Sequence, residues 1–203
     1  AIARSFIRMQ KVTGKKPRIF KEPLYKDNWE NALMVDPGEV TFSEGWDKTD
    51  PSSTFLQKFK SWFPYLMVSE KEGASFTFKY IGNGFGIFDI GAPGSDQIEI
   101  FLDGRQVGVR EIKGSQLYAI DSTNVQPVAR FNKYSNNRTR GQYMLIQTPD
   151  GKDHVVTIKV SGSELDKAKI LGPGQLNDIT KNPGKYNHKL IYIGKILING
   201  QLK

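Results

Sequence analysis

From Pro37 to the end of the chain, apolar residues come in short runs with polar residues set between them: "EVTF", "YLMVS", "SFTFKYI", "GFGIFDI", "QIEIFL", "YMLIQ" and "HVVTIKV". Alternation with a period of two sorts side chains onto the two faces of an extended strand and cannot line one stripe of a helix. The runs are rich in Val, Ile, Phe and Thr, which suit a pleated, half-buried surface. Between them stand "KEG", "APGSD", "LDGR" and "TPDGKD", where Gly, Pro, Asp and Ser supply turn conformations. Many short strands spaced in this way predict an all-β jelly-roll or β-sandwich. Strands do not alternate with helical patterns, which argues against a doubly wound nucleotide-binding fold. "TPDG" predicts a hairpin between "YMLIQ" and "DHVVTIKV", with Gly151 at positive φ. "LIYIGKILING" predicts one or two closing strands, and no internal repeat is visible.

The head of the chain is different. In "AIARSFIRMQ", Ile2, Phe6 and Met9 or Gln10 share a face at helical spacing, which predicts a short N-terminal helix. "KVTGKKPRIFKEP" stops it with Gly14, Pro17 and Pro23 and reads as a linker. The division expected is 1–36 for helix and linker and 37–203 for the sandwich domain. The chain starts without an initiator Met, which suggests a processed form or a piece of a longer protein. A second helical stretch is expected in "STFLQKFKSWF", with Phe55, Phe59 and Trp62 on one face. Trp29 and Trp62 sit among apolar residues and are expected in the core.

"YIGNGFGIFDIG" carries Gly82, Gly84, Gly86 and Gly91. Gly82 and Gly84 fit the opening of a G-x-G-x-x-G fingerprint, but Ile87 stands at the third glycine and strands follow where a helix is needed. Walker-type "GK[ST]" is also absent. The better reading is a turn or bulge at Gly82–Asn83–Gly84 leading into a buried central strand. In that strand Phe85 and Ile87 face one way, Phe88 and Ile90 the other, and Gly86 allows a close neighbour. Asp89 then needs a partner or a solvent-facing position.

The chemistry available is narrow. There are no cysteines, which removes thiol nucleophiles, disulfides and cysteine metal sites. The two histidines, His154 and His188, have neither zinc-ligand spacing nor a G-x-S-x-G elbow to work with. Asp96 and Glu99 fall on opposite faces of their strand and read as solvated acids rather than a glycosidase pair. Asp47, Asp50, Asp103, Asp150 and Asp153 are loop acids of the type that ligates calcium, but no EF-hand loop holds them. The expectation is therefore no cofactor, with structural calcium the one metal this chemistry suits. The net charge is +8, spread along the chain with denser stretches at "GKKPR" and "RFNKYSNNRTR". No nucleic-acid-binding pattern accompanies it and no run is long and apolar enough to span a bilayer, so neither nucleic acid nor membrane is an expected partner.

Carbohydrate is the ligand class with a positive case. Sugar faces are apolar and pack on exposed rings, while amides and guanidinium groups bind hydroxyls. Candidates are Trp46 in "EGWDKTD", Tyr118, and Tyr134 with Asn136, Asn137, Arg138 and Arg140 in "NKYSNNRTRGQY". That last segment is polar, basic and long, in the manner of a recognition loop.

"FTFKYIGNGFGIFDIGAPGSDQIEIFLDG", followed by "DHVVTIKV", resembles the jelly-roll accessory domain of bacterial SGNH (GDSL-type) hydrolases and carbohydrate esterases. The resemblance rests on Phe76 and Phe78, Gly84 to Ile90, "APGSD" at 92–96, Asp103–Gly104, His154 to Val160, and "NPGKYNHKLIYIGKILINGQ". It spans roughly Pro37 to Gln201, and "AIARSFIRMQ" resembles the terminal helix of an SGNH catalytic domain. The GDS box and the Asp-x-x-His pair are absent, so no catalytic residue carries over. What the resemblance implies is a non-catalytic domain that binds glycan or shapes a substrate cleft. Its partner is an SGNH catalytic domain, in cis or as a separate chain, and its place is the periplasm or the cell exterior. The alternatives are a structural domain that packs on a catalytic partner, and a hydrolase in its own right.

Overall fold

The computed structural model describes residues 28–53, 55–136, 139–148 and 150–203. The expected helix at Ala1–Gln10 lies outside them. The described chain is all-β. The strands of its first half are β1 (Ala32–Val35), β2 (Thr41–Phe42), β3 (Asp47–Thr49), β4 (Leu66–Ser69), β5 (Ser75–Gly91) and β6 (Gln97–Leu102). β7 (Arg105–Glu111), β8 (Leu117–Asp121), β9 (Val128–Ala129), β10 (Arg140–Gln147) and β11 (Asp153–Val160) follow. Two short helices, α1 (Lys167–Leu171) and α2 (Leu176–Lys181), precede the last strand, β12 (Ile191–Leu202).

β5 organises the molecule. Along one edge it pairs antiparallel with β11 over Ser75–Ile81 and then with β10 over Gly84–Gly91. Along the other it pairs with β2 and then with β12. β11 continues through β6, β7 and β8, and β8 returns parallel to β10, so six strands close a ring. β12 carries β1 and β4, and β3 follows β4. The result is a sandwich rolled at one side into a barrel.

The glycines in "IGNGFG" explain how β5 serves two sheets. In its first half the even-numbered Phe76, Phe78 and Tyr80 enter the main core; in its second half the odd-numbered Phe85 and Ile87 do. One extra residue is needed to change parity while facing the same core, which is what a bulge provides. The ladder to β12 shifts register at that point, between Asn199 and Gly200. Turn and bulge were both open from sequence; the strand runs through unbroken, so it is a bulge. Past it, Phe88 and Ile90 face a second cluster with Leu56, Phe59, Phe63, Leu66 and Tyr192, which makes this half apolar on both faces as expected.

Three expectations need correction. "TPDG" is not a hairpin. Gly151 does have positive φ, +64°, but β10 and β11 follow one another along the same edge of β5 and do not pair. The break between them sits opposite the bulge. "STFLQKFKSWF" forms a 3-10 turn at Gln57–Phe59 rather than an α-helix, and Trp62 is half-exposed, packed on Phe88 over the bare Cα of Gly141. Trp29 is also exposed rather than in the core.

Candidate functional site

At the end of β5 the chain makes three segments that converge. The first is the turn after Gly91. Ser95 Oγ accepts from the Ala92 amide at 2.9 Å and donates to the Ile90 carbonyl at 3.1 Å, folding "APGS" back on itself. Leu190 then donates its amide to the Gly94 carbonyl at 2.9 Å.

The second segment is 130–139, the predicted recognition loop. Its base is a buried ion pair: Arg130 Nη2 and Nε reach Asp89 Oδ1 and Oδ2 at 2.7 and 2.8 Å. Asp89 thus finds the partner its place in an apolar strand demands. Burial opposes the Arg130 charge, but the Asp89 carboxylate outweighs it and raises the guanidinium pKa. Gln142 closes the far side of the loop by donating to the Arg130 carbonyl at 2.7 Å and to Asp89 at 3.1 Å, and it accepts from Asn132 at 2.7 Å.

The third segment is 182–190, between α2 and β12. Asp178 accepts from Lys185 at 2.8 Å, from Tyr186 Oη and from Asn182 at 2.9 Å. The Lys185 and Tyr186 hydrogen bonds hold the Asp178 carboxyl down at about 2. His188 Nδ1 lies 3.0 Å from Glu70.

These segments, with Phe55, line an open pocket of about 440 Å³. Phe55 is 61% exposed. Asn136, Thr139, Lys185 and His188 supply polar groups, and Leu190 and Tyr192 the apolar remainder. A concave site with an exposed ring and a few polar groups has the composition of a small-ligand site.

The predicted residues divide as follows. Tyr134 is 45% exposed and carries two cations on its ring, Arg140 at 4.9 Å and Lys133 at 5.1 Å from the centroid. Asn136 lines the pocket, but it is buried and its amide donates to Gln175, tying the loop down. Asn137 and Arg138 lie outside the described residues. Trp46 is partly buried rather than an exposed ring. Its ring packs against Phe42 and Phe76 at 5.1 and 5.8 Å beside the main core; it lies in the segment between β2, which pairs with β5, and β3, which pairs with β4. Tyr118 likewise packs against the main core from β8. Phe55, Lys185 and His188 were not foreseen. An isolated Phe after "DPSST" was the one visible signal; the 182–190 segment had none.

The loop acids considered for calcium do not assemble. Asp153 pairs with Lys203 at 2.7 Å and Asp50 accepts from Ser52, while Asp103 and Asp150 serve His154. Among the described residues no group of three or more His, Asp or Glu is placed to hold a metal.

His154 is not placed for nucleophilic catalysis. His154 is buried, with Nδ1 at 2.8 Å from Asp103 and Nε2 at 2.8 Å from Asp150. A neutral imidazole has one N–H, so two carboxylate partners demand the imidazolium. No nitrogen remains to accept a serine proton. Burial works against the charge, but the Asp103 and Asp150 hydrogen bonds outweigh it and the pKa is raised above 6.5. The carboxyl of Asp150, held by His154, is lowered from 3.8. The stabilisation from the raised imidazolium is complete below about pH 6.5 and is lost as pH climbs through the raised value; the carboxylate part is lost as pH falls below about 4. The Tm gap between the wild type and His154→Gln is therefore expected to be widest near about pH 5.5 and to narrow toward about pH 9. A gap that stays constant over that range contradicts the assignment.

No family model and no curated protein matches the chain. Among solved structures it is similar to a two-domain esterase active on acetylated mannans, at 14% identity and TM-score 0.48, over 97% of this chain and 43% of that one. It is also similar to a family two carbohydrate esterase from Cellvibrio japonicus, at 9% identity and TM-score 0.39, over 84% of this chain and 33% of that one. A third is the CBM36-1 domain of a multidomain xylanase from the hindgut metagenome of Trinervitermes trinervoides, at 8% identity and TM-score 0.39, over 84% and 98%. The chain spans less than half the length of the two esterase chains, and every one of these TM-scores is below 0.5.

Proposed function

We propose that this chain is a non-catalytic, carbohydrate-binding accessory domain of an exported SGNH-type esterase. The observation that carries the reading is the pocket at the end of β5. It offers the exposed Phe55 ring beside Asn136, Thr139, Lys185 and His188, in a cleft open enough for part of a polysaccharide chain. An apolar ring beside hydrogen-bonding groups is what a sugar, apolar on its face and polar at its rim, requires. Tyr134, bracketed by Lys133 and Arg140, offers a second exposed ring, on the 130–139 loop that also carries Asn136 and Thr139. The SGNH assignment rests on the resemblance of Phe76–Gly104 and His154–Val160 to the accessory domains of that family.

The test is calorimetry against acetylated and unsubstituted plant polysaccharide fragments. Phe55→Ala is expected to weaken binding about tenfold, the loss that follows when a Phe side chain no longer buries apolar surface against the ligand. Absence of binding to any glycan on an array sinks the reading, and so does binding indifferent to both Phe55→Ala and Tyr134→Ala.

A second reading, a structural domain packed on a catalytic partner, is favoured by one feature. Trp29, Leu33, Met34 and Tyr143 are exposed together along a groove of about 390 Å³ with an almost wholly apolar lining. Contiguous apolar surface of this kind marks interaction sites. In that reading Met34→Asp abolishes association with an SGNH catalytic domain supplied in trans, and Phe55→Ala leaves it intact.

A further inference from the structure

Lys167 is buried at the start of α1. Its ammonium donates to the main-chain carbonyls of His188 at 2.7 Å, Tyr186 at 2.8 Å and Pro93 at 3.4 Å. The face of Phe131 lies 5.6 Å away. Burial pushes the Lys167 ammonium pKa down, and the Asp96 carboxylate is the largest of the charges that oppose this; Asp96 is itself buried, and its Oδ1 has no hydrogen-bond partner among the described residues. Converging carbonyls, a carboxylate and an aromatic face are the groups that replace the hydration shell of a bare monovalent cation. Potassium and ammonium hold carbonyl oxygens at about the distance seen around Nζ. Calcium asks for six to eight oxygens at roughly 2.3–2.6 Å, more and closer than are gathered here.

We infer that Lys167 fills, with its own side chain, a monovalent-cation site built by the carbonyls of Pro93, Tyr186 and His188 and the charge of Asp96, and that this site takes up potassium or ammonium ion once the side chain is cut back. The chain thereby carries its structural cation covalently. The site also fixes one side of the pocket: Pro93 and His188, both lining it, are tied to one charge. The inference stands independently of what the pocket binds.

The test compares Tm in potassium, ammonium and tetramethylammonium chloride at equal ionic strength. The wild type is expected to melt at the same temperature in all three. Lys167→Ala is expected to fall by roughly 10 °C in tetramethylammonium, the loss typical of a broken buried charge arrangement in a chain of this size. Half or more of that loss returns in potassium or ammonium. Lys167→Met, which keeps the stem and blocks the cavity without charge, shows no cation-specific recovery. Identical melting of Lys167→Ala in the three salts overturns the inference, as does equal recovery of both variants. Should Lys167→Ala fail to fold in tetramethylammonium, potassium must restore its β-sheet circular dichroism; failure to fold in every salt also overturns it.

Discussion

Asp89→Ala is expected to destabilise the fold by about 3–5 kcal/mol, a fall in Tm of roughly 10 °C for a chain of this length. Arg130 is 7% exposed and Asp89 1% exposed, and two hydrogen bonds of 2.7 and 2.8 Å join them. Removing the carboxylate strands a guanidinium in the interior with no other carboxylate bonded to it among the described residues. The size of the effect therefore reflects the unpaired charge more than the worth of the pair. The double variant Asp89→Leu/Arg130→Met separates the two, because it removes both charges and refills the volume. It is expected to recover most of the loss. Urea and thermal denaturation of the three proteins make the comparison, and an Asp89→Ala loss under about 1 kcal/mol contradicts the account. The pair also holds the base of the 130–139 loop through Gln142, so Asp89→Ala is expected to weaken the glycan binding proposed for the pocket even in protein that remains folded.

Gly86→Ala carries the second large effect. A Cβ at Gly86 would stand 1.9 Å from the Met144 carbonyl oxygen and 3.1 Å from the Leu145 Cα, both main-chain atoms of β10. No rotamer relieves a clash with backbone, so β10 must move off β5 along the ladder that joins Gly84–Gly91 to Arg140–Gln147. A loss of roughly 3 kcal/mol is expected, at the upper end of the overpacking range. Gly104→Ala is the control. Nothing lies within 4 Å of its Cβ position, and its φ of +79° gives a penalty of conformation alone, about 1 kcal/mol. If the two variants cost the same, close approach is not what Gly86 provides. The same substitution bears on the site, since Arg140 and the pocket turn lie at the far end of the ladder it disrupts.

Different parts of the molecule were legible to different degrees. The strands were readable because period-two patterning and turn residues are local: "SFTFKYI", "QIEIFL" and "DHVVTIKV" each form the strand their alternation demands. The both-faces-apolar character of Phe85–Ile90 correctly placed it between two layers. What misled was connectivity. "TPDG" has the residues of a hairpin turn and the positive φ of one, but whether two strands pair depends on what lies between them, and β5 occupies both of their partner edges. Aromatic residues misled for a related reason. Trp46 stands in a polar segment and still packs on Phe42 and Phe76, whereas Trp62 stands among apolar residues and remains half-exposed. Local polarity does not report which face of a short strand or turn meets the core.

Taken by itself, the sequence determined the all-β class, the buried central strand, the need of Asp89 for a partner and the absence of thiol chemistry, all consequences of residue type and short-range spacing. The tertiary structure alone decided that Arg130, forty-one residues on, is that partner, and that the Gly-Asn-Gly segment is a bulge that changes the parity of β5. It also decided the site. Phe55, the turn after Gly91, Asn136 and His188 are far apart in the chain, and they meet because one seventeen-residue strand delivers its end to where two other loops return. A pocket made from loops of distant origin leaves no pattern in any one of them.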